Sequence, residues 1–421
     1  MRRVVGILVL AGIALLFAMA TGFSLLTRLV YVLVLSMAGS LLWAWLSLRW
    51  LDVRVERRTS RVYVGQPVDE RITVRNTARL PKPWLEVMEL TDIPGHQSGM
   101  TVSLPAGGFR TWRVMTPSRR RGLYRLGPLR VATGDPFGLF RMERLYAGSQ
   151  DVLVLPAVVA VPRFEIPSAG LPGDGPTRRR SSDVTPHAST VRDYVPGDSV
   201  GRIHWPTSAR TGKLAVKEFD RGLTSDVWIL LDLDGSVQTK DPDQEADTEE
   251  TGVTVAASLA RHFLASGLPV GLAVNSEGQT SMLPPDRGYL QDARIMDLLA
   301  QVKQGGGTTL AQAVAGLDLW LGRQSAMVVV TPSPSPKWVE ALQPLGHRNV
   351  PVAAVLVDGA TFGGDASPRS LLSALAQLGI RSYVVGKDDN MSQALAHPIA
   401  QGSTAHYPSG YAATVLQESR P

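Results

Sequence analysis

The chain has 421 residues, of which 44% are hydrophobic and 19% are charged, and its formal net charge is +6 at pH 7. This length predicts two or three domains, and the composition is typical of a globular protein with a membrane contribution. The sequence contains no cysteine, which excludes disulfides, thiol nucleophiles and thiolate metal sites. The mildly basic charge favours anionic partners in general and identifies no site.

Two apolar runs open the chain, at residues 4–21 and 29–48. Each is long enough to cross the hydrocarbon core of a bilayer as a helix. A cleaved signal peptide is the rival interpretation of the first run, but it should be followed by a hydrophilic mature start. Two buried core helices are disfavoured because polar residues are missing from every face. We therefore predict a transmembrane hairpin over residues 1–50.

The arginines near this hairpin predict its orientation. Only Arg28 lies between the two runs, and the other arginines lie outside them. Because positive charge marks the cytoplasmic side, we expect both termini of the chain in the cytoplasm and the hairpin in the inner (cytoplasmic) membrane. The outer arginines are Arg2, Arg3, Arg49, Arg54, Arg57 and Arg58.

Residues 51–163 consist of short segments that alternate apolar and polar residues at period two, separated by Gly, Pro or Asn. This pattern predicts an antiparallel β-sandwich of immunoglobulin-like arrangement, with one face of each strand buried. Its many arginines favour a solvated face near anionic lipid. A nucleic-acid partner is not expected, since exposed aromatic residues are not interleaved with them. Residues 164–190 are rich in Pro, Gly, Ser and Thr and predict a linker or loop.

After residue 220, continuous apolar runs alternate with segments of helical spacing. This alternation predicts a mainly parallel, doubly wound α/β sheet within a domain that we place at residues 191–421. Ligands of such sheets bind beyond the carboxyl ends of the strands. The predicted strand ends are Asp232, Asn275, Thr331, Asp358 and Gly386.

Oxygen-bearing side chains follow the first of these strands. Asp232, Asp234 and Ser236 lie in "LDLDGS", and Thr308 lies in "GGGTTL". Such oxygens suit Mg²⁺ or Mn²⁺, and their spacing resembles the metal-ion-dependent adhesion site of von Willebrand factor A domains. The sequence departs from that site in two places, with Asp234 at a serine position and Pro332 where a second aspartate is expected. Asp232 and Asp234 either bind a metal or cap the backbone amides of the following segment.

Residues 191–220, here called the signature segment, read "VRDYVPGDSVGRIHWPTSARTGKLAVKEFD". Their order of motifs resembles the bacterial domain of unknown function 58 family. Residues 120–140, "RRGLYRLGPLRVATGDPFGLF", resemble a second motif of that family. The residues of the signature segment that match are Arg192, Tyr194, Gly197, Asp198, Arg202, Ile203, Trp205, Ser208, Ala209, Arg210, Lys217 and Glu218.

Two interpretations of the signature segment stay open. In one, its arginines pair with its own acidic residues as a structural brace, with Trp205 packed beneath them. In the other, they face outward and dock the acidic groups of a partner. Asp198 is expected to cap a short helix that Pro206 ends, and "KLAVKEF" is expected to form an edge strand of the sheet. The residues of the brace are Arg192, Arg202, Arg210, Asp193, Asp198 and Glu218.

The family resemblance implies a function in assembling or remodelling partner proteins together with a MoxR-type AAA ATPase. It also implies contact with membrane lipid and with other membrane or cytoplasmic proteins. The sequence has no Walker motif, so we assign ATP hydrolysis to the partner. We predict a non-enzymatic, membrane-anchored scaffold or adaptor. The alternative is a divalent-metal-dependent hydrolase that uses Asp232 and Asp234.

Overall fold

The structure of the chain is a computed structural model. It describes residues 2–164, 188–195, 203–219, 226–240, 247–276, 279–322, 324–365 and 367–399. The chain divides into two compact units, Met1–Ala157 with Met296–Gln301, and Val158–Ile295 with Val302–Pro421. Most of the predicted linker, residues 165–187, lies outside the described residues.

The first unit begins with two apolar helices, α1 (Arg2–Thr21) and α2 (Ser24–Leu48). Both are long and apolar enough to cross a membrane, and only 17% of each apolar window is buried inside the protein. The turn between them is Gly22–Phe23, where Gly22 has a φ of 67° that suits glycine. The turn is shorter than predicted, because α2 begins before Leu29. Arg28 therefore lies in α2 and not in a loop.

The β-region of the first unit forms two sheets. The strands are β1 (Leu51–Arg57), β2 (Arg61–Tyr63), β3 (Pro67–Asn76), β4 (Lys82–Thr91), β5 (Met100–Leu104), β6 (Phe109–Pro117), β7 (Gly122–Gly134), β8 (Arg141–Tyr146) and β9 (Gln150–Leu155). One sheet has the order β1-β3-β6, and the other has the order β2-β9-β7-β4-β5, with β8 beside β7. Ile72 and Val114 of the first sheet share an apolar core with Leu85 and Val131 of the second. The predicted sandwich is therefore present.

Two glutamates, Glu70 on β3 and Glu89 on β4, occupy inward positions of the sandwich. Along β3 every second residue is buried, and Glu70 occupies one of these positions between Val68 and Ile72. Along β4 the buried series runs through Leu85 and Val87 to Glu89. Both glutamates therefore lie in the interior of the sandwich, although the inward residues next to them are apolar.

The second unit opens with the elements of the signature segment, β10 (Ala188–Asp193), α3 (Trp205–Thr211) and β11 (Ala215–Phe219). β10 and β11 pair in a two-stranded antiparallel sheet of their own, so the prediction that "KLAVKEF" is an edge strand of the larger sheet is wrong. Pro206 lies in the first turn of α3 instead of ending a helix, because the N–H groups of the first turn have no acceptor within the helix. The predicted cap, Asp198, lies outside the described residues.

In the second unit, strands of a six-stranded sheet alternate with helices along the chain, as predicted. Its strands are β12 (Asp226–Asp232), β13 (Val270–Ser276), β14 (Gln279–Asp286), β15 (Ser325–Thr331), β16 (Val352–Val357) and β17 (Arg381–Val385). Their order is β14-β13-β12-β15-β16-β17, with β14 antiparallel to β13 and the other pairs parallel. The sequence did not predict β14, because Pro284 and Pro285 in it are typical of loops and of edge strands alone.

Helices cover both faces of this sheet. After α3 they are α4 (Thr248–Ala265), α5 (Gly288–Gln301), α6 (Leu310–Asp318), α7 (Lys337–Glu340), α8 (Gln343–His347), α9 (Leu372–Gln377) and α10 (Met391–Ala394). Val314 and Trp338 pack on the face that carries Leu230. α4 lies on the opposite face, where the position of a Cβ on Gly252 is 3.4 Å from Leu231 Cδ1. The sheet is therefore doubly wound.

Candidate functional site

The carboxyl ends of the parallel strands form one edge of the six-stranded sheet, here called the carboxyl edge. Asp232 and Thr331 end β12 and β15, and Asn275 is the register partner of Asp232 on β13. Asp358 and Gly386 directly follow β16 and β17. The five predicted strand ends therefore lie where the sequence placed them.

Asp232 is the buried centre of this edge, with 1% of its surface exposed. Its Oδ1 accepts hydrogen bonds from Asn275 Nδ2 at 3.1 Å and from the backbone N–H of Asp234 at 3.2 Å. Its Oδ2 accepts from the Thr331 hydroxyl at 2.7 Å. One carboxylate therefore joins the ends of three neighbouring strands.

The environment of Asp232 acts on its pKa in two directions. Burial raises the pKa, whereas the hydrogen bonds from Thr331, from the Asp234 amide and from Asn275 lower it, and the net effect is a rise. A buried carboxyl that already accepts these bonds is costly to redirect, since each donor would lose its acceptor. Asp232 therefore stabilises the carboxyl edge through its hydrogen bonds in this structure.

The loop after β12 lies against the glycine-rich segment 305–307. The N–H of Gly235 donates to the carbonyl of Gly305 at 2.6 Å, and the N–H of Gly305 donates to the carbonyl of Leu233 at 3.0 Å. Asn275 Nδ2 also donates to the carbonyl of Thr308 at 2.9 Å. The structure thus brings together the two segments that carry the predicted site residues.

The remaining predicted site residues serve the local backbone. Asp234 Oδ1 accepts from the N–H of Ser236 at 3.0 Å, and Ser236 is exposed. Thr309, the neighbour of Thr308, caps α6 with Gln312 in a capping box. These hydrogen bonds match the capping interpretation. The Mg²⁺ or Mn²⁺ site at these residues stays a prediction.

The hydrolase alternative needs further ligands or a base beside Asp232 and Asp234. In the part of the chain that the structure describes, groups of at least three His, Cys, Asp or Glu ligand atoms within 4.8 Å of one another occur only at Glu70, Glu89 and His96. These three residues belong to the first unit. Among the described residues, this grouping does not include Asp232 or Asp234, and the hydrolase alternative stays a prediction.

A second acidic residue of the edge is also paired. Asp358 has 3% of its surface exposed, and its Oδ1 accepts from the Ser367 hydroxyl at 2.7 Å. Its Oδ2 pairs with Arg369 Nε at 2.6 Å. The buried carboxylates of the edge are thus held by neighbouring side chains, which makes the edge a rigid frame for its loops.

The signature segment is pinned through polar contacts and not through its tryptophan. The Ser208 hydroxyl accepts from the N–H of Ala215 at 2.9 Å, and the N–H of His204 donates to the carbonyl of Ala215 at 2.8 Å. His204 Nδ1 accepts from the N–H of Thr207 at 3.2 Å and caps α3. The predicted packing of Trp205 beneath a brace is wrong, because this side chain is 61% exposed.

The other signature residues are described unevenly. Tyr194 is half-buried, and its N–H donates to the carbonyl of Leu214 at 2.9 Å, while Arg210 is exposed. Gly197, Asp198 and Arg202 lie outside the described residues. Arg192, Lys217 and Glu218 lie in the paired strands β10 and β11, with side chains outside the described part. The inward or outward direction of the arginines stays a prediction.

Sequence reasoning missed the buried group of Glu70, Glu89 and His96. Each glutamate stands on the inward phase of its strand, next to apolar inward residues such as Ile72 and Val87. That phase is a readable signal, because a charge at an inward position is rare unless it is paired or binds an ion.

An apolar helix pair, a β-sandwich and a doubly wound α/β unit define the class of this chain. Residues 190–361 match the family model described as "Protein of unknown function DUF58". This match confirms, over residues 190–361, the family resemblance that the signature segment indicates.

Two curated relatives are described as uncharacterized proteins. The chain is 30% identical over 159 residues to "Uncharacterized protein YeaD" of Bacillus subtilis (strain 168), which is 36% of each chain. It is 25% identical over 173 residues to "Uncharacterized protein Rv1480" of Mycobacterium tuberculosis, which is 40% of this chain and 53% of that protein. The matches thus span between about a third and half of these relatives' lengths.

Among solved structures, a similar one is the CARDB domain of the PF1109 protein from Pyrococcus furiosus. It is 17% identical, covers 25% of this chain and 91% of that chain, and has a TM-score of 0.19. The C-terminal domain of wzt is 14% identical, covers 25% of this chain and 72% of that chain, and has a TM-score of 0.20.

Proposed function

We propose that this chain is a membrane-anchored, cytoplasm-facing scaffold or adaptor. In this proposal it acts with a MoxR-type AAA ATPase in the assembly or remodelling of partner proteins. The family match over residues 190–361 and the two apolar helices support the proposal. The ATPase itself is inferred from the family resemblance.

The observation that carries the proposal is the exposure of Trp205 on the signature segment. Trp205 is 61% exposed, and Val195 and Leu214 of the same segment are 56% and 45% exposed. Tryptophan and arginine are the residues most enriched in the centres of protein interfaces, and Arg210 is exposed on the same helix. A large apolar side chain left outside the core of its own unit is typical of a surface that a partner covers.

The scaffold around Trp205 is preorganised for binding. Trp205 is the first residue of α3, and α3 is fixed to β11 through Ser208 and His204. An anchor that is already positioned loses little conformational freedom when a partner binds, which increases affinity. Ser208 thus has a supporting function, and Trp205 is the residue that we expect to contact the ATPase.

The cytoplasmic orientation is supported by the arginines around the helices. Arg28 lies near the start of α2, at the end of the helix pair that holds the turn. The side chain of Arg57 is 7% exposed in the sandwich, so Arg57 does not mark a membrane surface. The remaining arginines flank the outer ends of the pair, which favours a cytoplasmic location for both ends. They are Arg2, Arg3, Arg49, Arg54 and Arg58.

The finer proposal for the second unit is a von Willebrand factor A-like domain that binds client proteins at the carboxyl edge. It is supported by the doubly wound strand order and by the contact between the loop after β12 and Gly305. Open sheets of this class bind ligands at this edge. The rigid carboxylate frame of Asp232 and Asp358 suits presentation of loops to a protein more than chemistry on a small substrate.

Copurification from native membranes tests the proposal. We expect the tagged full chain, solubilised in mild detergent, to recover a MoxR-type AAA ATPase, and Trp205→Ala to lose most of it because the interface anchor is removed. Trp320→Ala is the matched control, since Trp320 is 59% exposed and lies outside the signature segment.

Two outcomes of that experiment count against the proposal. One is that no AAA ATPase accompanies the wild-type chain. The other is that Trp205→Ala and Trp320→Ala recover the ATPase equally well, which would remove the signature segment from the interface.

A further inference from the structure

Three side chains with metal-binding atoms meet inside the β-sandwich. Glu70 comes from β3, Glu89 comes from β4, and His96 comes from the connection between β4 and β5. β3 belongs to the three-stranded sheet and β4 to the six-stranded sheet of the first unit, so the two glutamates face each other across the core. Ligand atoms of the three residues lie within 4.8 Å of one another.

The atoms that converge there are buried and lack partners. Glu70 and Glu89 have 0% and 4% of their surfaces exposed, and the side chain of His96 has 3%. The Oε2 atoms of Glu70 and Glu89 and the Nε2 atom of His96 have no hydrogen-bond partner, and His96 Nε2 lies 3.5 Å from Glu89 Oε2. Buried polar atoms are almost always hydrogen-bonded, so three unpartnered atoms at one point indicate a ligand.

The other atoms of the same side chains are held in place. Arg57 Nε donates to Glu70 Oε1 at 2.7 Å, and Arg57 Nη2 donates to Glu89 Oε1. His96 Nδ1 is 2.7 Å from the Thr116 hydroxyl. With its proton on Nδ1, the imidazole donates to Thr116 and presents the Nε2 lone pair to the centre. Outer contacts of this kind orient metal ligands in proteins.

The charge of the group also favours a cation. Two carboxylates and one guanidinium leave the group one positive charge short, in a core where uncompensated charge is costly. The rival to a metal is therefore a proton shared by the two carboxylates.

We propose that Glu70 Oε2, Glu89 Oε2 and His96 Nε2 bind one divalent transition-metal ion, with Zn²⁺ as the best match. Mixed carboxylate and imidazole donors suit Zn²⁺ and its neighbours, whereas Mg²⁺ and Ca²⁺ take oxygen ligands. The ion joins the two sheets of the sandwich and thus stabilises the first unit. This site is separate from the carboxyl edge and does not depend on the proposed function.

Metal titration of the full chain in detergent tests this site. After removal of metal with EDTA, we expect calorimetry with Zn²⁺ to give one ion per chain and a raised midpoint of thermal unfolding. Co²⁺ should give visible absorption bands of a nitrogen and oxygen site. His96→Ala should weaken binding by at least ~10-fold and abolish the thermal shift, since it removes a direct ligand.

Matched variants keep the result interpretable. Glu86 lies on β4 like Glu89, but it pairs with Arg141 outside the group of Glu70, Glu89 and His96. The Glu86→Gln variant should therefore bind Zn²⁺ like the wild type. Asp234→Asn should also bind normally, which separates this site from the carboxyl edge. Glu89→Gln should lose Zn²⁺, and His96→Ala serves if that variant fails to fold, because the Arg57 hydrogen bonds to Glu70 and Glu89 do not involve His96. Binding that survives His96→Ala, or no bound ion in the wild type, would overturn the proposal and leave the shared proton.

Discussion

At the scale of single residues, the carboxyl edge depends on how one buried carboxylate is hydrogen-bonded. Asp232 accepts from Thr331, Asn275 and the Asp234 amide, and it does so where three parallel strands end. The sequence predicted that these residues would be neighbours, because parallel strands end at a common edge. It did not predict that both oxygens of Asp232 would accept hydrogen bonds within the protein, because Thr331 and Asn275 lie far from Asp232 along the sequence.

Two variants of Asp232 test whether its hydrogen bonds or its negative charge stabilise the carboxyl edge. Asp232→Ala should lower the free energy of unfolding of the second unit by about 2–4 kcal/mol, because buried donors lose their acceptor. Asp232→Asn should cost less, since its carbonyl can accept from the Asp234 amide and its amide can donate to the Thr331 hydroxyl. Denaturant unfolding of the full chain measures both. Equal losses in the two variants would mean that the negative charge itself is required.

At the scale of elements, the end of α2 is fixed to the sandwich. Lys82 Nζ donates to the carbonyl of Leu46 at 2.6 Å, and the Tyr146 hydroxyl donates to that of Leu48 at 2.7 Å. The last carbonyls of a helix lack partners within it and carry partial negative charge, so a buried lysine there is favourable. Burial lowers the pKa of Lys82, which is 1% exposed.

Lys82→Met is the element-scale prediction. It removes the donor and the charge while keeping the apolar stem, so the first unit should lose about 1–2 kcal/mol of stability. Amide hydrogen exchange should speed up in the last turn of α2, and Arg79→Met, a change on the connection before β4, should leave exchange there unaltered. Unchanged amide exchange in the last turn of α2 in Lys82→Met would contradict a stabilising bond between Lys82 and the end of α2.

The sequence predicted the elements well where their hydrophobic periodicity is clear. It predicted them poorly where the position of a proline determines the element. The alternating strands of the sandwich and the apolar strands of the sheet follow from their patterns. β14 was not predicted, because its two prolines resemble loop residues. α3 was misplaced, because Pro206 was expected to end a helix, although proline is also favoured in the first turn of one.

At the scale of the whole molecule, the family match and the apolar helices lie in different units. The match over 190–361 falls in the second unit apart from residues 296–301, whereas α1 and α2 belong to the first. This division predicts separate tasks, anchoring by the first unit and partner binding by the second. The change of sequence texture near residue 220 was sufficient to predict the α/β sheet, but not the exposure of Trp205, which depends on how Ser208 and His204 fix α3.

The central claim is that the signature segment contacts a cytoplasmic ATPase while the chain is in its membrane. Site-specific photo-cross-linking tests it, with p-benzoylphenylalanine in place of Trp205 or, as a control, of Trp320. Irradiation of intact native membranes should link the chain to a MoxR-type AAA ATPase from position 205 and not from position 320. No ATPase adduct from position 205, or equal adducts from both positions, would contradict the claim.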